Sequence, residues 1–451
     1  MESILSHLKD RRLITLLLIS FTIRVAIFFR FQPWDESILQ HIILIFDSLG
    51  YHNLAICMSS QFSFCDEVFR TPGYPFFTGI IYYLFGPQPA YVLFIQIFFN
   101  LLSIYLIYLI ATELLNKNLG LIAALLFSID PHHTIFIYYL LTETIYTSVF
   151  LLAFYIFIIG LKNNKFSYFI IAGLIYGVST LIRPITQYYI IALSVFVILW
   201  YIKNWKQGIL FSALLISGYL TTTLPWCYRN YHNFGYFKIS NIKGYSFLFW
   251  DASYYEAKRQ NKTIEEINKE FYKELYVMGW RPNQNPFVKE EYLIALAKKT
   301  LSPNFPDYVK THLIGAAKIH LSVGTQSLTD VLRLPAKKWT EEEKYTNGVI
   351  PLIKKFFATK SIYEILLGSF VAVFLGIVYF FAAIGIWRMI REKQILLMLF
   401  LLGSAGYFAL ISGIVSYARY RLPSMPFYIL LACFGMAFLW DKYQKKKLSA
   451  K

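Results

Sequence analysis

The chain carries little charge and little from which to build a metal or disulfide scaffold. Only 15% of its 451 residues are charged, too thin a polar coat for a water-soluble protein of this length and too low for a disordered polyelectrolyte. Four cysteines, Cys57, Cys65, Cys227 and Cys433, are too few and too scattered for a thiolate metal cluster or a disulfide-dense secreted fold. Cys57 and Cys65 either pair, if their loop faces an oxidising compartment, or stay as two thiols. Zinc-finger spacing, a Walker A loop, a Rossmann fingerprint, an H-E-x-x-H arrangement and any short-period repeat are all missing. Acidic residues are scarce too, 26 against 43 basic ones for a net charge of +17. Without a nucleic-acid motif, that excess reads as basic cytoplasmic loops of a membrane protein, with no nucleic acid as partner.

What the chain does hold is apolar and aromatic. At 57% hydrophobic and 19% aromatic residues it cannot hide its apolar surface in a soluble core, so it reads as an all-α polytopic membrane protein. The first span covers about 13–31; LITLLLISFTIRVAIFFRF is too long for a removed signal peptide and lacks the small-residue cleavage pattern. Further spans fall at 89–112, 119–136, 141–161, 166–183, 185–201, 208–226, 362–387, 395–413 and 421–440. Ten is a minimum and about 10 to 13 the expected range, because PFFTGIIYYLFG and THLIGAAKIHLSV either enter the bilayer or lie on it as juxtamembrane helices.

Positive charge supplies the orientation. Lys117, Lys162 with Lys165, Lys203 with Lys206, and Arg388, Arg391 and Lys393 fall on one side under this count, together with the basic N-terminus and the tail KYQKKKLSA. Both termini are expected in the cytoplasm. Residues 32–88, the turn at 130–140 and the segment 227–361 then lie outside. The chain divides into an N-terminal transmembrane module at 1–226 with a first outer loop at 32–88, a mostly helical extracytoplasmic segment at 227–361, and a C-terminal transmembrane module with a basic tail at 362–451. Within the long segment, TIEEINKEFYKELYVMGW and VKEEYLIALAKKTL have helical periodicity, and PNQNP and SPNFP carry turn signals. Asn261-Lys262-Thr263 is a formal glycosylation sequon, but the richness in Lys, Asn and Ile reads as bacterial and leaves it little weight.

Chemistry-bearing residues gather at the outer ends of these spans. Asp47, Tyr51 and Ala55 share one face of a helix, and a carboxylate held at a membrane surface can accept a hydroxyl proton or orient a nucleophile; a helix cap or solvated loop acid is the ordinary alternative. Asp35 and Glu36 in WDES read as a helix beginning. CDEVFRTPGYPFF supplies Asp66, Glu67 and Arg70 before a turn stiffened by two prolines. Asp130, His132 and His133 end one apolar run and are adjacent in a way that admits a metal or an interface. Glu143 lies at the start of the next, where an ionisable group is expensive unless it faces protein or a water-filled cavity. Arg183-Pro184, then Trp226, Arg229 and Asn230, then Tyr417, Arg419, Tyr420, Arg421 and Pro423 repeat a basic entrance at the same side. Guanidinium groups there either bind phosphate or snorkel to fix helix depth.

At these residues the sequence resembles bacterial membrane glycosyltransferases of the GT-C superfamily, in particular the family related to dolichyl-phosphate-mannose protein mannosyltransferases and the lipid A aminoarabinose transferase. The resemblance runs in order through Asp47 with Tyr51 and Ala55, RTPGYP from Arg70, Glu143 in LLTET, Arg183-Pro184, PWCYRNYHNFGYF from Pro225, and ARYRLPSMPF from Ala418. It implies a GT-C fold and transfer of a sugar, with inversion, from a polyprenyl-phosphate donor to an envelope glycan, glycolipid or protein acceptor. The enzyme would sit in the bacterial cytoplasmic membrane among membrane lipids, with its active site outside. Asp47 matches the catalytic aspartate. Arg70, Arg183, Arg229, Arg419 and Arg421 are the candidates for the donor phosphate or headgroup, and Tyr51, Asp66, Glu67 and Glu143 for substrate orientation. No cofactor is required on this reading, and a divalent metal is not expected. The competing class is a lipid or glycolipid flippase, whose intramembrane charges would line a transport pathway.

Overall fold

In a bilayer every backbone N–H and C=O must find a partner inside its own segment or barrel, and long apolar runs meet that demand by forming helices. The computed structural model describes residues 10–337 and 349–449, and every regular element among them is helical. The first half contains α1 (Arg11–Phe31), α2 (Asp47–Gln61), α3 (Gly73–Phe85), α4 (Pro89–Leu114), α5 (Lys117–Ile129), α6 (Glu143–Asn163), α7 (Phe166–Ile182), α8 (Tyr189–Trp200) and α9 (Trp205–Phe234). A run of shorter helices follows, α10 (Ser253–Gln260), α11 (Ile264–Val277), α12 (Pro286–Leu301), α13 (Phe305–Leu321), α14 (Thr325–Leu332) and α15 (Val349–Thr359). The chain closes with α16 (Ile362–Arg391), α17 (Ile395–Ser412) and α18 (Met425–Ser449). Of the basic ends expected in the cytoplasm, Lys9 and residues 450–451 lie outside the described residues, as does 338–348 of the long segment.

Among the described residues seven stretches are long and apolar enough to cross a membrane, or nine if two bent helix pairs each count as one span. That is fewer than ten to thirteen. All ten expected spans fall on helices, but three are shorter or broken. The stretch at 119–136 bends by 61° where α5 meets the turn Pro131–Tyr138. Helices α7 and α8 are apolar but short, because Pro184 bars a helical conformation for Arg183 and ends α7 there. PFFTGIIYYLFG lies in α3 and THLIGAAKIHLSV in α13 and the residues that follow it.

Two cores are present. The larger joins α1 to α9, α14 and α16 to α18. A smaller one, with Leu248, Phe271, Leu275, Leu296 and Leu301, forms among the short helices and takes in Ile414 and Val415 after α17; this group of helices is called the crown below. Both periodic stretches of the crown are helices, α11 and α12, the first closed by a capping box between Thr263 and Glu266. Asp35 caps the helix at Glu36, accepting from the Ser37 N–H at 2.9 Å. Cys57 and Cys65 are paired in a disulfide.

Lipid offers no hydrophobic driving force between helices, so close backbone approach through small residues holds such bundles together. Helices α16 and α18 meet this way. A Cβ at Gly385 would overlap the Leu431 carbonyl oxygen, and one at Gly435 that of Phe381, whereas one at Gly376 would meet nothing. Gly385→Leu and Gly435→Leu should each destabilise the purified protein by about 1–3 kcal/mol or more, read as a lowered thermal midpoint in detergent. Gly376→Leu should leave the midpoint unchanged.

Candidate active site

Asp47 opens α2 directly after a sharp corner. The preceding helical residues Glu36–Ile43 and α2 meet at 112°, and Phe46 at the corner holds φ 48°, a conformation costing a residue with a Cβ about 1–3 kcal/mol. The corner leaves the Asp47 side chain 49% exposed, accessible to a substrate. Arg419 Nη2 lies 3.2 Å from its Oδ2 and Arg70 Nη2 3.9 Å from its Oδ1. Arg70 is held flat. Its guanidinium stands 5.1 Å from the centre of the Tyr51 ring and against Gly50, where a Cβ would overlap it. Residues 47, 50 and 51 thus form one helical face with i, i+3 and i+4 spacing. Glu67 completes the support, its Oε2 3.9 Å from Arg70 Nη1 while Oε1 accepts the backbone N–H groups of Phe69 and Arg70.

Behind this rim lies a buried ion pair. Glu143, the first residue of α6, is only 4% exposed, and its Oε1 sits 2.7 Å from Arg183 Nη1. Arg183 also donates to Thr142 Oγ1 at 3.3 Å. It reaches them because the residue before Pro184 is extended, at φ −146° and ψ 114°. Glu143 Oε2 and Arg419 Nε are buried and have no hydrogen-bond partner among the described residues. Three guanidinium groups, Arg70, Arg183 and Arg419, therefore stand among three carboxylates, Asp47, Glu67 and Glu143. Guanidinium N–H donors beside an accessible base suit an anionic leaving group.

The other sequence candidates lie elsewhere. Arg421 is 2% exposed and donates through Nη1 to the carbonyls of Ile319 and Ser322 at 3.0 and 2.7 Å, while Nη2 stands 3.2 Å from His132 Nδ1. Residues 418–424 form a 3₁₀ turn, in which neighbours two apart project in different directions; hence Arg419 faces Asp47 and Arg421 the helix ends. Arg229 donates to the Glu67 carbonyl at 3.1 Å and packs over Trp226, so it holds the loop backbone rather than Asp47. Asp66, at φ 53°, sits in that loop near Arg229. Asp130 caps the turn starting at Pro131, accepting from the His132 and His133 N–H groups and meeting His133 Nδ1 at 3.0 Å. No group of three or more His, Cys, Asp or Glu residues able to hold a metal occurs among the described residues.

Sequence reasoning passed over Arg24. It lies fully buried within α1, bonded to Asn100 Oδ1 at 2.7 Å, to the carbonyls of Ser20 and Ser128 at 3.1 Å each, and to Thr134 Oγ1 at 3.2 Å. An arginine in the middle of an apolar run was the available signal. It ties α1 to the turn on which Asp130 and His133 sit.

Residues 70–228 match the model of the family described as dolichyl-phosphate-mannose-protein mannosyltransferase. No curated protein matches the chain in sequence. Among solved structures the chain is similar to the oligosaccharyltransferase of Archaeoglobus fulgidus. In the apo form the TM-score is 0.54 at 17% identity, covering 98% of this chain and 52% of the archaeal one. With a tethered acceptor peptide containing the NVT sequon it is 0.53 at 15% identity, over 97% and 50%. With an inhibitory peptide and a dolichol-phosphate it is 0.50 at 17% identity, over 98% and 52%. The chain spans about half the length of these structures. The likeness covers nearly all of this chain, which therefore shares the fold of these structures.

The buried pair makes its own prediction. Arg183→Ala should destabilise the protein by about 3–5 kcal/mol, because Glu143 is left buried and unpaired. Adding Glu143→Gln should restore much of that loss in thermal unfolding. Arg70→Ala should cost about 1 kcal/mol or less, since its carboxylate partners Asp47 and Glu67 both keep access to solvent and stand 3.9 Å away.

Proposed function

We propose that this chain, built on the GT-C fold, transfers a sugar from a polyprenyl-phosphate carrier to a hydroxyl-bearing acceptor at the membrane surface. The observation carrying this reading is the Asp47 centre itself, an accessible carboxylate set between two guanidinium groups with a third behind. The dolichol-phosphate in the archaeal oligosaccharyltransferase complex and the mannosyltransferase description of the matching family support the same donor chemistry.

The step balances as follows. Asp47 accepts the acceptor's hydroxyl proton as that oxygen attacks the anomeric carbon. The bond from that carbon to the phosphate oxygen breaks, its electron pair leaves with the polyprenyl phosphate, and the anomeric centre inverts. Phosphate is a good leaving group, so charge stabilisation matters more than protonation. Arg419, Arg70 and Arg183 supply it. Glu143 holds Arg183 in place, and Tyr51 and Glu67 hold Arg70. Arg229 and Asp66 shape the first loop, and Arg421 fixes the segment that presents Arg419.

The same reading puts residues 32–88 and 227–361 outside a bacterial cytoplasmic membrane, with both termini inside and with the catalytic and C-terminal transmembrane modules before and after the crown in the chain. The basic loops at Lys162, Lys203 and Arg388 support that orientation.

In liposomes with polyprenyl-phosphate sugars and envelope acceptors, Asp47→Asn should lower turnover about a hundredfold to ten-thousandfold with an unchanged thermal midpoint. Carrier phosphate and glycosylated product are both followed by mass spectrometry. Passage of intact lipid across the bilayer without sugar loss, indifferent to the substitution, would establish a flippase instead. Orientation has an independent check: on intact cells, Cys57 and Cys65 should react with an impermeant maleimide only after treatment with an impermeant reductant.

A further inference from the structure

The loop that carries Arg70 is stitched to the crown. The Asn241 backbone N–H donates to the Val68 carbonyl at 3.1 Å, and Asn241 Nδ2 donates to the Pro286 carbonyl at 3.0 Å. At this seam lies a cavity of about 170 Å³ whose lining includes Phe69, Asn241, Tyr245, Phe249, Tyr272 and Trp280. A single water needs about 10–15 Å³ of such space, so the cavity admits a ring bearing several hydroxyls. Its aromatic wall is continuous from the neighbour of Arg70 outward. Phe69 meets Tyr245 edge-on at 5.3 Å, Tyr245 meets Phe249 at 5.0 Å, Phe249 meets Tyr272 at 5.1 Å, and Tyr272 meets Trp280 at 6.0 Å. Gly279, at φ 100°, makes the turn that brings Trp280 back onto this wall, a conformation open to glycine.

Two polar atoms of the lining residues are unmatched. Asn241 Oδ1, an acceptor, and Trp280 Nε1, a donor, are buried with no hydrogen-bond partner among the described residues. Each such group costs about 1–3 kcal/mol if left unpaired. An isoprenoid chain would leave both in that state. A sugar ring supplies hydroxyls that both donate and accept, and its C–H faces pack on aromatic rings as other apolar surfaces do. The pocket adjoins the reaction centre through Phe69, whose ring centre stands 5.5 Å from the Arg70 guanidinium. Arg183 and Glu143 belong to the bundle side of Asp47, whereas this cavity belongs to the crown.

We propose that this pocket, whose lining also includes Lys289 and Glu290, binds a saccharide ring of the acceptor, with Asn241 Oδ1 and Trp280 Nε1 selecting its hydroxyls. That the ring belongs to the acceptor rests on the transferase reading; that it is a saccharide does not. The full chain in nanodiscs is titrated by saturation-transfer NMR with methyl glucoside, methyl mannoside and N,N′-diacetylchitobiose, and separately with polyprenyl phosphate. Trp280→Phe keeps an aromatic ring and removes the donor, and Asn241→Ala removes the acceptor together with the Nδ2 bond to Pro286 while leaving the backbone bond to Val68.

At least one saccharide should bind wild type, and bind each variant about five- to tenfold more weakly, with polyprenyl phosphate binding unchanged. No saccharide binding by wild type would overturn the proposal, as would equal binding by both variants. A matching loss of polyprenyl phosphate binding would overturn it too, by assigning the pocket to the carrier. Transfer by wild type with both variants unaffected in saccharide binding would sink the pocket alone. Saccharide binding with the expected losses, but no transfer with any donor, would sink the transferase reading and leave the pocket standing.

Discussion

A guanidinium group drawn into an apolar bundle must bring acceptors with it, and the way Arg421 meets that demand fixes the geometry of everything around Asp47. It gathers the carbonyls that end α13 and the His132 side chain, so α13, the turn at Pro131 and the 3₁₀ segment before α18 are held at one point. Arg419, two residues earlier on that segment, is thereby aimed at a carboxylate 372 positions away in the chain. Arg24 does the same from α1, joining it to α4 and to the Pro131 turn. Removing either group's acceptors would leave a charge stranded in low dielectric, a penalty of several kcal/mol. That penalty is what makes the arrangement stiff.

Stiffness matters because the Asp47 centre is a set of charges with few covalent neighbours. Its three guanidinium groups come from the first loop, the end of α7 and the segment before α18, and none is near another in sequence. Such a cluster stabilises a developing negative charge only if it is preorganised, with no reorganisation left to do as the charge appears. The contacts that provide this are ordinary ones: Tyr51 and Gly50 under Arg70, Glu143 on Arg183, Tyr420 beneath Arg419 at 4.9 Å. The crown adds the other half, pinning the first loop through Asn241, while Arg229 at the end of α9 holds the same loop at the Glu67 carbonyl. Bundle and crown meet at this loop, and the accessible carboxylate lies there.

Much of this was legible in the chain. Apolar run length gave the helices, and the capping and turn signals of the crown gave α11 and α12, because both depend on residues close in sequence. The ordered set from Asp47 to ARYRLPSMPF carried the resemblance to a GT-C transferase, and the fold agrees. The span count was less legible. Hydropathy does not register that Pro184 ends α7 early or that Asp130 and Pro131 turn the chain by 61°, so short and bent helices read as full crossings. Arg229, Arg419 and Arg421 were indistinguishable from sequence, all of them arginines at the same side beside aromatic residues. Phe69, Asn241 and Trp280 gave no signal, since each is an unremarkable residue until a fold closes a cavity around them.

The sequence by itself determined the class of the molecule, its helical elements, and the inventory of charges that its apolar runs must accommodate. Those follow from local composition and periodicity, which act over a few turns. The tertiary structure alone decided which charges meet: that Arg419 reaches Asp47 while Arg421 is spent on backbone carbonyls, and that Glu143 takes Arg183. Pairing of this kind depends on the direction of a side chain at a 3₁₀ turn or before a proline, and on which helix ends are brought together. Those directions are fixed only when desolvation forces each buried charge to find a partner.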